Sequence, residues 1–416
     1  MAHHRTWLRG LFGSEEEPVD AVLQAPPPHN RLGLFAEASN DFALAMYAHL
    51  RQRPGNLFLS PFSVRTALAM TYAGASGETA AQMGKALRFL PADETLHIAF
   101  AEIIQRLNAA GSGQYEMAVA NSLWCQDGAP LQTGFRDVVA RHYGGGLNVV
   151  DFRRSVEAAR ARINLWVEDK TKQKIKELIG SGGLDADTRL VLVNAVYFKG
   201  KWVLQFRKAA TRDEPFYVEG GGNVRAPLMH QQEEVRYLQA GGFQAVDLAY
   251  RGGDLCMLVL LPDRNDGLRA LETQLSARLL RDCVASMLVR EVELFLPRFR
   301  MTWGTVDLAT ELRTLGMPRA FTRAQADFSG INGHEPPDEE SLFISAVYHK
   351  AFAEVNEEGT EAAAATGVAM RWLGAFPQPA AVSMFRADHP FLFAIRDRKS
   401  GTILFLGRVA DPTQER

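Results

Sequence analysis

The chain has 416 residues, 47% hydrophobic and 23% charged, with a formal net charge of −2. That is the composition of a folded globular protein with apolar material for a large core, and the charge balance calls for no nucleic-acid partner. No apolar run reaches the length of a secretory leader or a bilayer span, so no membrane association is expected.

Residues 1–30 stand apart. Trp7, Leu8, Leu11 and Phe12 form a short amphipathic patch, and Glu15–Glu17 with Pro26–Pro28 read as a flexible, solvated tail. Beyond residue 31 no Gly/Ser/Pro-rich linker divides the chain, so residues 31–416 read as one large domain. Asn40 to Leu50 carries Phe42, Leu44, Ala45, Met46 and Tyr47 at helical spacing. Ser60-Pro61 opens a second helix that is apolar almost all round, hence buried, and Ser60 and Ser63 would cap its start. Gly77 to Met83 and Leu96 to Leu107 read as two more helices, the latter with Glu102 and Arg106 at i,i+4 and no basic cluster.

Ala158 to Ile179 reads as one long amphipathic helix with Ile163, Trp166, Val167 and Ile175 facing inward. Leu190 to Trp202 is apolar on both faces, as a central strand would be. Short strands follow from Val224 to Pro262, then one helix from Gly267 to Ala285, and a strand at Val292–Phe299 that contains Arg298. A further strand runs from Ser345 to Asn356, where Val347, His349, Ala351, Ala353 and Val355 share a face and place a histidine among apolar neighbours. His389–Asp397 and Thr402–Val409 close the chain as a hairpin with Ser400-Gly401 at its turn.

No catalytic or cofactor chemistry emerges along the way. Gly74–Gly77 lacks the spacing of a nucleophile elbow, and Gly144–Gly146 lacks the lysine of a phosphate loop. The ten histidines form no metal pair. Cys125, Cys256 and Cys283 are an odd number at wide spacing, so buried free thiols are expected. With no Asn-X-Ser/Thr acceptor in the chain, this leans toward a reducing, cytoplasmic compartment.

The stretch Glu357-Glu358-Gly359-Thr360-Glu361-Ala362-Ala363-Ala364-Ala365-Thr366 is the most unusual in the chain. Glu357 and Glu358 are adjacent on a strand and so point to opposite faces, which rules out an acid–base dyad. Thr360, Ala362, Ala364, Thr366, Val368 and Met370 fall on one face at period two, all small or apolar, while the charged Glu361 falls on the other. Composition alone fits a linker or a short helix equally well, because alanine is the best helix former. The alternation instead describes a loop written as a strand.

This stretch resembles the reactive-loop hinge of inhibitory serpins, in which a cleaved loop inserts into a sheet. The Ser60-Pro61-Phe62-Ser63 helix start, the Phe198-Lys199-Gly200-Lys201-Trp202 strand end and the closing hairpin resemble the same family, in order, over residues 31–412. The resemblance implies an α+β serpin fold with three β-sheets, about nine helices and an exposed loop over about residues 357–384. It further implies a metastable inhibitor of serine-type endopeptidases, not an enzyme, acting as a suicide substrate without a cofactor. The partner would be a chymotrypsin-like or elastase-like protease, with a trypsin-like target as the alternative, and the inhibitor a monomer. Ser60, Ser63, Asn194 and His349 would hold the main sheet closed beneath, and Arg298, Glu357 and Trp202 at its top.

The family places the scissile bond about sixteen residues past the hinge glutamate, which selects Leu373–Gly374. Arg371–Trp372 is the alternative, since Arg371 falls on the outward face and would not obstruct insertion. From Thr360 to Met370 an extended strand would span about 36 Å, enough to cross a sheet. A non-inhibitory serpin serving as carrier or chaperone is the competing reading. Against it, no proline or charge occupies an inward hinge position.

Overall fold

The computed structural model describes residues 31–89, 94–110, 115–128, 130–360 and 382–415. The tail 1–30, the hinge positions Glu361, Ala362, Ala363, Ala364, Ala365 and Thr366, and the bonds Leu373–Gly374 and Arg371–Trp372 lie outside the described residues.

Ten helices and fifteen strands are formed among the described residues. The helices are α1 (Arg31–Leu50), α2 (Pro61–Tyr72), α3 (Gly77–Ala86), α4 (Glu94–Ala110), α5 (Thr133–Tyr143), α6 (Val156–Lys170), α7 (Leu268–Gln274), α8 (Ala277–Ser286), α9 (Ala309–Thr314) and α10 (Ser329–Asn332). The strands are β1 (Leu57–Leu59), β2 (Tyr115–Gln126), β3 (Leu147–Val150), β4 (Leu190–Lys201), β5 (Arg212–Tyr217), β6 (Asn223–Gln239), β7 (Phe243–Ala249) and β8 (Leu255–Pro262). They continue with β9 (Leu288–Pro297), β10 (Phe299–Asp307), β11 (Ile344–Asn356), β12 (Gly359–Thr360), β13 (Ser383–Arg386), β14 (Phe391–Asp397) and β15 (Ile403–Val409).

Two hydrogen-bonded sheets organise these strands. One runs β10-β11-β12-β4-β2-β3. The other runs β1-β15-β14-β8-β7-β6-β9-β13, with β5 also paired to β6. The second joins what the sequence suggests as two separate sheets, because the 17-residue β6 pairs with β5 and β9 and then, at its far end, with β7.

The pattern of β4 explains the layering. Leu190, Leu192, Val196 and Phe198 enter the large core shared with α2 and the second sheet. Val191, Val193, Ala195 and Tyr197 enter a smaller core under α6. A strand buried on both faces needs apolar residues at every position, and this one has a single polar exception on the core side, Asn194.

Two helices end earlier than their periodicity suggests. The helix expected over Ala158–Ile179 stops at Lys170. Lys172, Gln173 and Glu177 there adopt positive φ, while Asn164 clamps the returning strap by exchanging two 2.9 Å bonds with the backbone of Ile179. Ile175, Leu178 and Ile179 remain buried, so the apolar periodicity was real but served a strap rather than a helix. The segment Gly267–Ala285 likewise forms two helices, broken where Leu275 turns extended and Ser276 caps α8 through the Leu279 amide at 3.1 Å. The three cysteines are free and buried, and burial pushes the Cys125 thiol up to about 12 and that of Cys283 to about 11.

Candidate functional site

Two polar clusters interrupt the apolar interior of the six-stranded sheet, one at the middle of β11 and one at its end. At the middle, β11 and β4 run parallel with His349 opposite Asn194, and β2 brings Asn121 opposite Asn194 from the other side. Ser60 caps α2 by accepting from the Ser63 amide at 3.3 Å, which points both hydroxyls at the sheet. Every side chain then finds a partner. The Ser60 amide donates to His349 Nε2 at 3.2 Å, so Nδ1 carries the ring proton and donates to Asn194 Oδ1. Asn194 Nδ2 donates to Ser63 Oγ at 2.5 Å, Ser63 Oγ donates to Asn121 Oδ1 at 2.9 Å, and Ser60 Oγ donates to the Leu404 carbonyl at 2.7 Å. His349 is fully buried, and burial lowers its pKa to about 3, so it is neutral at physiological pH. This network ties β2, β4, β11, β15 and α2 together across the junction of the two sheets.

At the end of β11 the chain reverses. Gly359 and Thr360 form β12, which lies between β11 and the last residues of β4. Thr360 pairs with Val355 and with Gly200, and Gly359 with Asn356 and with Lys201. Below this point β11 and β4 pair directly with one another. Gly359 has φ of +144°, and a Cβ there would stand 2.0 Å from the Gly200 carbonyl oxygen. Gly200 is packed as tightly, with a Cβ position 2.7 Å from the Tyr250 ring. Glycine at 359 therefore lets this short strand approach β4, while glycine at 200 makes room for the Tyr250 ring.

The glutamates before β12 are buried and individually answered. Arg298 donates to Glu357 Oε1 from Nε at 2.8 Å and again from Nη2, and Thr211 donates to the same oxygen at 2.5 Å. Burial pushes the Glu357 carboxyl up, and these donors more than offset it, leaving the group below its ordinary range. Lys208 donates to Glu358 Oε1 at 2.5 Å, whereas Glu358 Oε2 is buried with no partner. The backbone is held too: the Phe206 amide donates to the Glu357 carbonyl and the Trp202 amide to the Glu358 carbonyl, each at 2.9 Å. Trp202 is buried, stacks on Tyr250 with ring centroids 4.5 Å apart, and donates from Nε1 to the Asn356 carbonyl at 3.0 Å.

The structure thus brings Ser60, Ser63, Asn194 and His349 into one network and Arg298, Glu357 and Trp202 into another. Asn121, Thr211, Lys208 and Tyr250 belong to these clusters and were not among the residues the sequence suggested. A polar residue on a strand facing Asn194 is the only signal Asn121 offers, and it requires knowing the register. Among the described residues no group of His, Cys, Asp and Glu could hold a metal ion, and no helix is long and apolar enough to cross a membrane.

Comparison with known proteins places the chain. A family model described as "Serpin (serine protease inhibitor)" matches residues 37–412. Leukocyte elastase inhibitor of Equus caballus is 38% identical over 388 residues, covering 91% of this chain and 99% of that protein. Serpin B6 of Pongo abelii is 39% identical, covering 92% and 100%. Uncleaved ovalbumin superposes with a TM-score of 0.81 at 30% identity, covering 91% of this chain and 99% of that one. The fold is the α+β serpin fold, and the chain belongs to the serpin family. It is accordingly a serine protease inhibitor rather than an enzyme.

Proposed function

We propose that this serpin is a suicide substrate that traps its protease as a covalent acyl-enzyme by inserting the cleaved loop into the six-stranded sheet. The protease serine attacks a loop carbonyl and releases the new amino terminus, forming the ester. Before water hydrolyses that ester, the freed segment from Thr360 onward extends β12 between β11 and β4. The tethered protease is carried along and distorted, and a misplacement of ~1 Å can cost its active site about 100-fold in rate. The observation that carries this reading is β12 itself, already laddered on both sides at the point where β11 and β4 begin to part.

Glu357–Thr366 is the hinge in this reading, Ser60, Ser63, Asn194 and His349 the lock beneath it, and Arg298 and Trp202 the seat above. Residues 31–416 act as one monomeric domain. The target is a chymotrypsin-like or elastase-like protease cleaving Leu373–Gly374, in keeping with the elastase inhibitors among the relatives. Mixing the protein with trypsin, chymotrypsin and elastase tests this. An SDS-resistant complex is expected, with a released C-terminal peptide beginning at Gly374. A peptide beginning at Trp372 would move the bond to Arg371 and the target to the trypsin class. Clean turnover with no complex would refute trapping.

A further inference from the structure

The segment between β4 and β5 wraps the residues that lead into β12. Its Phe206 amide and Thr211 hydroxyl answer Glu357, while its Trp202 amide, Gln205 and Lys208 answer Glu358. Glu358 is held through its backbone and through one carboxylate oxygen. Its amide donates to Asn356 Oδ1 at 3.1 Å, and its carbonyl accepts from the Trp202 amide at 2.9 Å and from Gln205 Nε2 at 3.2 Å. Its Oε1 accepts from Lys208 Nζ at 2.5 Å, and its Oε2 is buried without a partner among the described residues.

The two ends of this ion pair have different surroundings. The Glu358 side chain is 9% exposed, whereas Lys208, on the 3-10 turn Lys208–Ala210, is 65% exposed. A lysine reaching from solvent over a buried carboxylate is replaceable in shape but not in charge, because a buried carboxylate stripped of its cation is left uncompensated. The position of the pair matters as much. Glu358 directly precedes Gly359 and Thr360, and a two-residue strand that begins with glycine specifies its register weakly. A slip of one residue turns every side chain to the other face. Thr360, now opposite the buried Val355, would give up that place to Glu361, the next residue in the sequence, and a charge would face the core.

We infer that Glu358, clamped by Lys208, is the positioning residue that pins the register in which the cleaved loop enters the sheet; the inference rests on the trapping reading above. The bond from the Trp202 amide to the Glu358 carbonyl carries the β12–β4 ladder one step beyond the Gly359–Lys201 pair, so the pin belongs to the end of the strand that stays in place. Insertion adds residues beyond Thr360 and leaves this end where it is. A strand growing from a fixed end enters in one register. From a loose end it also samples the slipped one, which stalls with a charge toward the core. Because insertion races hydrolysis of the acyl ester, a stall shows as turnover of the inhibitor and not as slower attack on the loop.

The test titrates chymotrypsin and elastase with the full chain and reads two quantities, the rate at which the loop is attacked and the stoichiometry of inhibition. Lys208→Ala leaves both Glu358 oxygens buried without a partner among the described residues, and the ratio of turnover to trapping is expected to rise about fivefold. The change should lie in that ratio and not in the rate of attack. Lys208→Arg keeps the cation and should hold the stoichiometry near that of the parent protein. Lys208→Ala combined with Glu358→Gln, whose neutral amide needs no cation, should recover most of the loss, which simple loss of packing would not allow. An unchanged stoichiometry in Lys208→Ala overturns the proposal, as does a double variant as poor as the single one, or slowed attack at unchanged stoichiometry. Should the parent protein form no covalent complex with any protease, the trapping reading fails separately. Hydrogen exchange at the Trp202 amide then decides the pin: faster exchange in Lys208→Ala that the double variant reverses supports it, and exchange equal to that of the parent protein refutes it.

Discussion

Acid should unlock this sheet through His349, and the size of the effect follows from its surroundings. Its partners are the Ser60 amide and Asn194 Oδ1, both neutral, and its pKa is lowered by burial to about 3. In the unfolded chain the same ring titrates near 6.5. The folded state therefore holds fewer protons between those values, and the stability contributed by neutral His349 is complete above about pH 6.5. It declines as the pH falls toward 3, by roughly 1.4 kcal/mol per unit. Protonation also adds a hydrogen to Nε2, which then faces the Ser60 amide donor to donor. Between pH 6.5 and 4.5 the histidine should thus cost about 3 kcal/mol. The assay is thermal unfolding across that range for the parent protein and for His349→Gln, which keeps a polar side chain but does not titrate. Buried carboxylates contribute to both curves and cancel in the comparison. The parent protein should lose more stability, by about that amount, and should form loop–sheet polymers sooner on acid incubation. Parallel curves would refute the argument.

Thr360→Arg places a charge opposite Val355 of the buried face, costing several kcal/mol if buried unpaired; the variant should be cleaved as a substrate, and unchanged trapping would count against insertion. Cleaving the parent protein within the loop should raise its melting temperature by tens of degrees, and the cleaved variant should gain much less. Glu357→Lys sets a cation against Arg298, and because Arg298 is 41% exposed the cost lies at the lower end of the roughly 3–5 kcal/mol for a broken buried pair. Polymers on native gels after mild warming are expected, and a persistently monomeric variant would contradict the pairing. Gly359→Ala cannot keep β12 where it is, because its Cβ would meet the Gly200 carbonyl at 2.0 Å. Its rate of trapping should fall more than its affinity for an inactive protease, and equal falls in both would refute a role in seating the strand.

Much of this was legible in residues alone because it rests on local and periodic chemistry. The two-sided apolarity of Leu190–Lys201 announces a central strand and Ser60-Pro61 a capped helix, whereas the polar network around His349 was implied by the family resemblance and not by the residues alone. The small-residue alternation from Thr360 onward predicts a loop able to become a strand, and beyond Thr360 it lies outside the described residues. What the tertiary structure alone decided was everything that depends on distant segments meeting. Asn121 joins the central network only because β2 lies in register with β4. Thr211, Lys208 and Tyr250 reach the glutamates and Trp202 only because the chain after β4 folds back over β12. The strap after Lys170 kept its helical spacing of apolar residues yet left the helix, because its backbone bonds to Asn164 across the turn compete with the next helical turn. The need for glycine at 359 likewise appears only when Gly200 arrives beside it, since a close approach between two strands is a property of neither.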